Sequence, residues 1–146
     1  MRSSTKNERR EAPGYMARVL IVDDSSAVRA YHASILTKEG HQVDLADNGY
    51  EGLEKFFQND YDVVLADVNM PKMHGYDLAK EIRKSERGAK VGIIVISTEA
   101  GQKDRLEAYN AGADLYLVKP VSPAELINAC MMFGASNGGP SNGEGA

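Results

Sequence analysis

The chain has 146 residues, 17 Lys+Arg against 21 Asp+Glu, and a formal net charge of −4. That is the usual size of one domain, and a hydrophobic fraction of 42% is ordinary for a soluble globular protein, so disorder throughout is excluded. No apolar run approaches the roughly 18 residues of a spanning helix, and Cys130, the only cysteine, excludes an intramolecular disulfide and a thiolate zinc cluster.

Residues 1–15 carry four bases, Arg2, Lys6, Arg9 and Arg10, and two acids. They read as a disordered basic leader with no apolar core of a secretory signal, so a cytoplasmic protein is expected, with Met16 a candidate natural start. Four short β-branched runs follow, Val19–Val22, Val63–Ala66, Ile93–Ile96 and Leu115–Val118, each bounded by polar residues as strands buried on both faces are. A weaker segment over Gln42–Ala46 alternates Val43 and Leu45 with polar neighbours, as an edge strand does. Helical spacing fills the gaps. Val28, Tyr31, Ile35 and Leu36 mark the first helix, with Ser25 or Ser26 as N-cap and Gly40 beyond its end. Leu53, Phe56 and Phe57 mark a second after Asn48, and Tyr76–Arg83 a third. A fourth, Gln102–Asn110 with Leu106 and Tyr109, ends at Gly112. Ser122-Pro123-Ala124-Glu125 is a capping box with proline at the first helical position, opening a fifth helix through about Phe133. Strands alternating with helices imply parallel pairing and right-handed crossovers, hence a doubly wound α/β fold over residues 16–134. Residues 135–146 read as a flexible Gly/Ser/Asn tail or linker. Between the two tails the net charge is −5, which argues against binding to a phosphate backbone as the main task.

Ligands in such folds bind beyond the carboxyl ends of the strands. Those ends read Asp23-Asp24 after strand 1, Asp67 after strand 3, Ser97-Thr98 after strand 4 and Lys119-Pro120 after strand 5. Any one of these aspartates could be a turn residue or a helix cap. Three carboxylates converging on one edge repel, and a hard divalent cation with oxygen ligands relieves them; Mg²⁺ held by one or two carboxylates and waters fits. His32 and His41 read as surface residues on or beside the first helix, His74 as a surface loop residue, and three scattered histidines make no metal site. Cys130 reads as a small buried hydrophobe, and Met131-Met132-Phe133 as core packing and helix end that would extend a binding face if exposed.

The segments LIVDDS (Leu20–Ser25), VLADVNMPKMHG (Val64–Gly75), IVIST (Ile94–Thr98) and GADLYLVKP (Gly112–Pro120) resemble bacterial two-component response-regulator receiver domains over about residues 17–133. Single-domain, chemotaxis-type (CheY-like) regulators are the most similar kind. The resemblance implies a flavodoxin-like sheet of five strands in the order 2-1-3-4-5 with five helices. It implies that Asp67 is the phosphoacceptor, and that Asp23, Asp24, Asp67 and the Asn69 backbone carbonyl hold Mg²⁺, with Mn²⁺ a substitute. Lys119 would pair with the phosphoryl group and Ser97 would donate its hydroxyl to it. Tyr116 would be an aromatic switch moving with Ser97, although alone it also reads as a half-buried strand aromatic. A cis Lys119–Pro120 peptide is also implied. Thr98 stands where the family more often has a small residue and would narrow access to the acyl phosphate. Asn69 and Glu99 occupy positions that tune hydrolysis, and their pairing resembles regulators with a short-lived phosphoryl group.

The function so implied is a phosphorylation-activated switch that accepts its phosphoryl group from a histidine kinase or phosphotransfer protein. Phosphotransfer and hydrolysis would be self-catalysed, and a downstream protein would bind through the face of helix 4, strand 5 and helix 5. No nucleic acid or membrane is expected as partner, and the chain would be a monomer or a phosphorylation-dependent dimer. The alternatives are a phosphorylation-independent receiver scaffold and a receiver cut from a larger regulator. An aspartyl-phosphate hydrolase of the haloacid-dehalogenase kind would place Asp-x-Asp after strand 1, where this chain has Asp-Asp-Ser. A flavodoxin-like cofactor binder would need a hydroxyl- and glycine-rich loop there, which paired aspartates oppose.

Overall fold

The computed structural model describes residues 16–138; the expected leader and the end of the expected tail lie outside the described residues. In chain order the elements are β1 (Arg18–Val22), α1 (Ser26–Lys38), β2 (Gln42–Ala46), α2 (Gly49–Gln58), β3 (Val63–Asp67), α3 (Gly75–Arg83), a 3-10 turn (Arg87–Ala89), β4 (Gly92–Ser97), α4 (Gln102–Ala111), β5 (Leu115–Val118) and α5 (Pro123–Gly138). All five strands pair in parallel in the order β2-β1-β3-β4-β5, as the resemblance implied.

The period of two along each strand divides the interior into two layers. Leu20, Val22, Val64, Ala66, Ile93 and Val95 face α2, α3 and α4, where they meet Phe56, Leu78, Ile82 and Ala108. Val19, Ile21, Val63, Leu65, Ile94 and Ile96 face α1 and α5, where they meet Leu36, Leu126 and Cys130. Each buried Leu or Ile stabilises the fold by roughly 1.5–3 kcal/mol, so both layers are needed.

The helix starts follow from local chemistry. Ser25 is the N-cap of α1 and accepts from the Val28 N–H at 3.2 Å. The Asn48 side chain accepts from the Glu51 N–H at 2.9 Å, and Glu51 returns a bond to the Asp47 N–H at 2.7 Å. Ser122 and Glu125 form the expected reciprocal box at 3.1 and 3.0 Å. Gly112 closes α4 with φ at +116°, a left-handed conformation that glycine adopts without steric cost.

Four expectations need correction. His32 and His41 are buried, not surface residues. His41 turns under β1, where its Nδ1 accepts from the Ala17 N–H at 3.0 Å; His32 faces inward from α1 one turn before Leu36. His74 does lie in the loop before α3, half-buried, and caps that helix, its Nδ1 accepting from the Tyr76 N–H at 3.2 Å. On α4 the buried residues are Ala108 and Ala111, while Leu106 and Tyr109 are 61% and 44% exposed; Met131 and Met132 on α5 are also exposed. Finally, α5 continues through Gly138, past Phe133 and into the expected tail. A nucleated helix extends at small cost per residue, and one interior glycine weakens it by about 1 kcal/mol without stopping it.

Candidate functional site

Parallel pairing brings the carboxyl ends of β1, β3, β4 and β5 to one edge, with Val22 opposite Ala66, Asp67 opposite Ile96 and Ser97 opposite Val118. Asp23 and Asp24 follow β1, Asp67 ends β3, Ser97 ends β4 and Lys119 follows β5. Asp23 and Asp67 are buried and Asp24 is exposed. Each of the three aspartates offers a carboxylate oxygen to a cluster whose members lie within 4.8 Å of one another.

Lys119 supplies the counter-charge. Its Nζ lies 2.9 Å from Asp67 Oδ1 and 3.3 Å from Asp23 Oδ2. The other Asp23 oxygen accepts from the Ser25 N–H at 2.9 Å, and the Arg29 guanidinium donates to the Asp23 carbonyl at 2.6 Å. Burial raises the Asp67 pKa above the ordinary carboxylate value; Asp23 adds to this and the Lys119 hydrogen bond opposes it. For Lys119, burial works against the charge, but its bonds to Asp67 and Asp23 outweigh it and hold the pKa above the ordinary value. One ammonium facing three carboxylates leaves excess negative charge, and the donors are all hard oxygens. Such a set suits a hard divalent cation.

Ser97 is buried, and its Oγ accepts from the Glu99 N–H at 3.0 Å. Tyr116 turns inward, 4% exposed, and its hydroxyl donates to the Glu99 carbonyl at 2.8 Å. Both therefore hold the loop that follows β4. Thr98 and Glu99 are exposed, as is Asn69 two residues beyond Asp67. Thr98 and Lys119 share a cleft of about 290 Å³ with Val28, Tyr31 and His32, so the threonine stands at the edge of the acidic site. The Lys119–Pro120 peptide is cis.

Sequence reasoning overlooked Arg29 and His32. Both lie on α1 near the helix start, and their spacing of three residues, which puts them on neighbouring turns, was the available signal. Burial lowers the His32 pKa, with Asp23 opposing this and Lys119 adding to it, so the imidazole belongs to the same electrostatic neighbourhood.

The sequence matches the family model of the response regulator receiver domain over residues 19–131. The chain belongs to this family. Receiver domains are phosphorylation-activated switches of two-component signalling, and this one is CheY-like. Chemotaxis protein CheY of Thermotoga maritima is 42% identical over 113 residues, covering 77% of this chain and 92% of that protein. The gliding motility regulatory protein of Myxococcus xanthus is 40% identical over 110 residues, which is 75% of this chain but 14% of that protein. Among solved structures, the receiver domain of sensor histidine kinase PA1611 from Pseudomonas aeruginosa has a magnesium ion coordinated in its active site cleft. It is 30% identical, with a TM-score of 0.77, over 83% of this chain and 99% of that one. No helix among the described residues of this receiver is long and apolar enough to cross a membrane.

Proposed function

We propose that this receiver accepts a phosphoryl group on Asp67 from a histidine kinase or phosphotransfer protein and thereby changes its affinity for a downstream protein. The observation that carries the reading is the Lys119 ammonium held between Asp67 and Asp23 within a three-carboxylate cluster at the end of the sheet. An Asp67 carboxylate oxygen attacks phosphorus, the bond from phosphorus to the donor's imidazole nitrogen breaks, and that nitrogen keeps the electron pair. Asp23, Asp24, Asp67 and the Asn69 backbone carbonyl would hold Mg²⁺, or Mn²⁺ in its place. When bound, the cation neutralises charge on the transferring phosphoryl oxygens, the main electrostatic demand of this chemistry.

Lys119 then exchanges Asp67 for a phosphoryl oxygen. Ser97 gives up its bond from the Glu99 N–H and donates its hydroxyl to the phosphoryl group. Phosphorylation adds about −1.5 to −2 charges at the sheet edge. The loop after β4 responds, Tyr116 responds with it, and the face made by α4, β5 and α5 shifts between two packings. Exposed Leu106 and Tyr109, with Met131 and Met132 on α5, supply apolar anchors for the downstream protein. Transfer and hydrolysis are self-catalysed. Asn69 and Glu99, both exposed beside the site, leave the acyl phosphate open to water, so the phosphoryl group is short-lived; a lifetime of many hours would overturn that part. The protein acts in the cytoplasm as a monomer or as a phosphorylation-dependent dimer.

A receiver that is one part of a longer regulator is the second reading, because the Myxococcus xanthus relative matches this chain over a small share of its length. A constitutive scaffold is separated by labelling with acetyl phosphate. The label is expected to form with Mg²⁺, to fail in chelator and to be lost in Asp67→Asn. Labelling that persists in Asp67→Asn would refute the assignment.

A further inference from the structure

Tyr76 is the second residue of α3 and belongs to none of the motifs at the strand ends. It is buried, and its hydroxyl donates to the Asp104 backbone carbonyl at 3.1 Å, in the first turn of α4. Tyr116 reaches the same region from β5, its hydroxyl donating to the Glu99 carbonyl at 2.8 Å and its ring lying 5.1 Å from the Arg105 guanidinium. Burial, followed by the neighbouring Tyr116, pushes the Tyr76 phenol up to about 12, so it remains a protonated donor. Residues 98–101 are all exposed, and Gly101 caps α4 without a side-chain hydrogen bond. The loop therefore gains at its two ends, from two buried phenols, the anchoring that its own cap lacks.

The start of α3 is itself pinned to the phosphoacceptor strand. The Gly75 N–H donates to the Val68 carbonyl at 2.9 Å, and a Cβ at Gly75 would lie 2.3 Å from the Asp67 carbonyl oxygen. Tyr76 is the next residue, so the end of β3 is joined to the first turn of α4 by a path that does not pass through Ser97. We propose that Tyr76 is a positioning residue for the site, its hydroxyl holding the first turn of α4, and with it the Thr98 loop, in register with the end of β3. This rests on the reading of Asp67 as phosphoacceptor only for its effect on labelling.

The test uses the full chain and two variants. Tyr76→Phe removes the hydroxyl and keeps the ring. Tyr61→Phe is the control, since Tyr61 is also buried and donates to Asp44 at 2.6 Å, away from the loop. In Tyr76→Phe the amides of 105–108, which bond the carbonyls of the first turn, are expected to exchange about fivefold faster, the effect of losing one neutral hydrogen bond. Amides of β1 and β3 should stay unchanged, and Tyr61→Phe should spare 105–108. Acetyl-phosphate labelling of Asp67 should rise about threefold in Tyr76→Phe, because the loosened loop no longer holds Thr98 across the cleft beside Lys119, as for a barrier lowered by a fraction of a kcal/mol, and stay at the wild-type rate in Tyr61→Phe. Exchange at the wild-type rate in 105–108, or a uniform acceleration across the domain, would overturn the proposal. So would faster local exchange with an unchanged labelling rate. If the wild type takes no label, the phosphoacceptor reading fails, and the exchange result alone decides whether Tyr76 holds α4.

Discussion

Lys119 shows how one side chain serves two buried carboxylates. Without a phosphoryl group it neutralises two buried carboxylates, and its own charge persists despite burial because they face it. Removing it would strand those carboxylates, a costly outcome for buried charge. Thr98 is the gentler probe. It lines the cleft beside Lys119 and adds bulk at the site's edge. Thr98→Ala is therefore expected to speed labelling by acetyl phosphate about threefold, as a barrier change of a fraction of a kcal/mol would. A rate equal to wild type would count against a gating role. The aspartates and Lys119 were legible from sequence because each directly follows or ends an apolar run. Arg29 and His32 were not, because their spacing shows a shared face of α1 but not that this face turns toward Asp23.

At the level of elements, three of the helix starts could be read from their caps and the helix faces could not. Ser25, Asn48 and the Ser122–Glu125 box act within three residues of themselves, so caps are local chemistry. Which side of α4 is buried depends on β5 and α3, which lie elsewhere in the chain; Ala108 fits there and Leu106 is left outside. Gly75 tests how closely an element is tied to the site, since a Cβ there would meet the Asp67 backbone oxygen. Gly75→Ala is expected to destabilise the domain by about 1–3 kcal/mol through overpacking, read as a lower urea midpoint. It should also slow labelling by displacing the end of β3. A variant with unchanged midpoint and rate would show that α3 can slide away freely.

Over the whole molecule, the buried histidines tie stability to pH. Burial is the main cause that lowers the His41 pKa, and an Nδ1 that accepts from the Ala17 N–H has to be unprotonated. The unfolded chain titrates near the ordinary value of about 6.5, so on acidification it takes up the proton first. The stability due to neutral His41 is complete above that value and is lost as pH falls from it toward the lowered native pKa. His41→Asn keeps an acceptor for Ala17 and removes the titration. Urea unfolding between pH 7 and 5 should then show a shallower loss of stability than wild type, with His32 responsible for part of what remains. Equal slopes in the two proteins would refute the linkage.

The order of strands and helices, three of the helix caps and the residue types at the strand ends were set by the sequence alone, because each depends on residues within a turn or two of one another. Tertiary structure decided that His32 and His41 face inward, that Leu106 and Tyr109 face outward, that Tyr76 reaches α4, and that Lys119 sits between Asp23 and Asp67. Each of those depends on a partner brought near by packing the two layers against the sheet, and local periodicity carries no information about which partner that is.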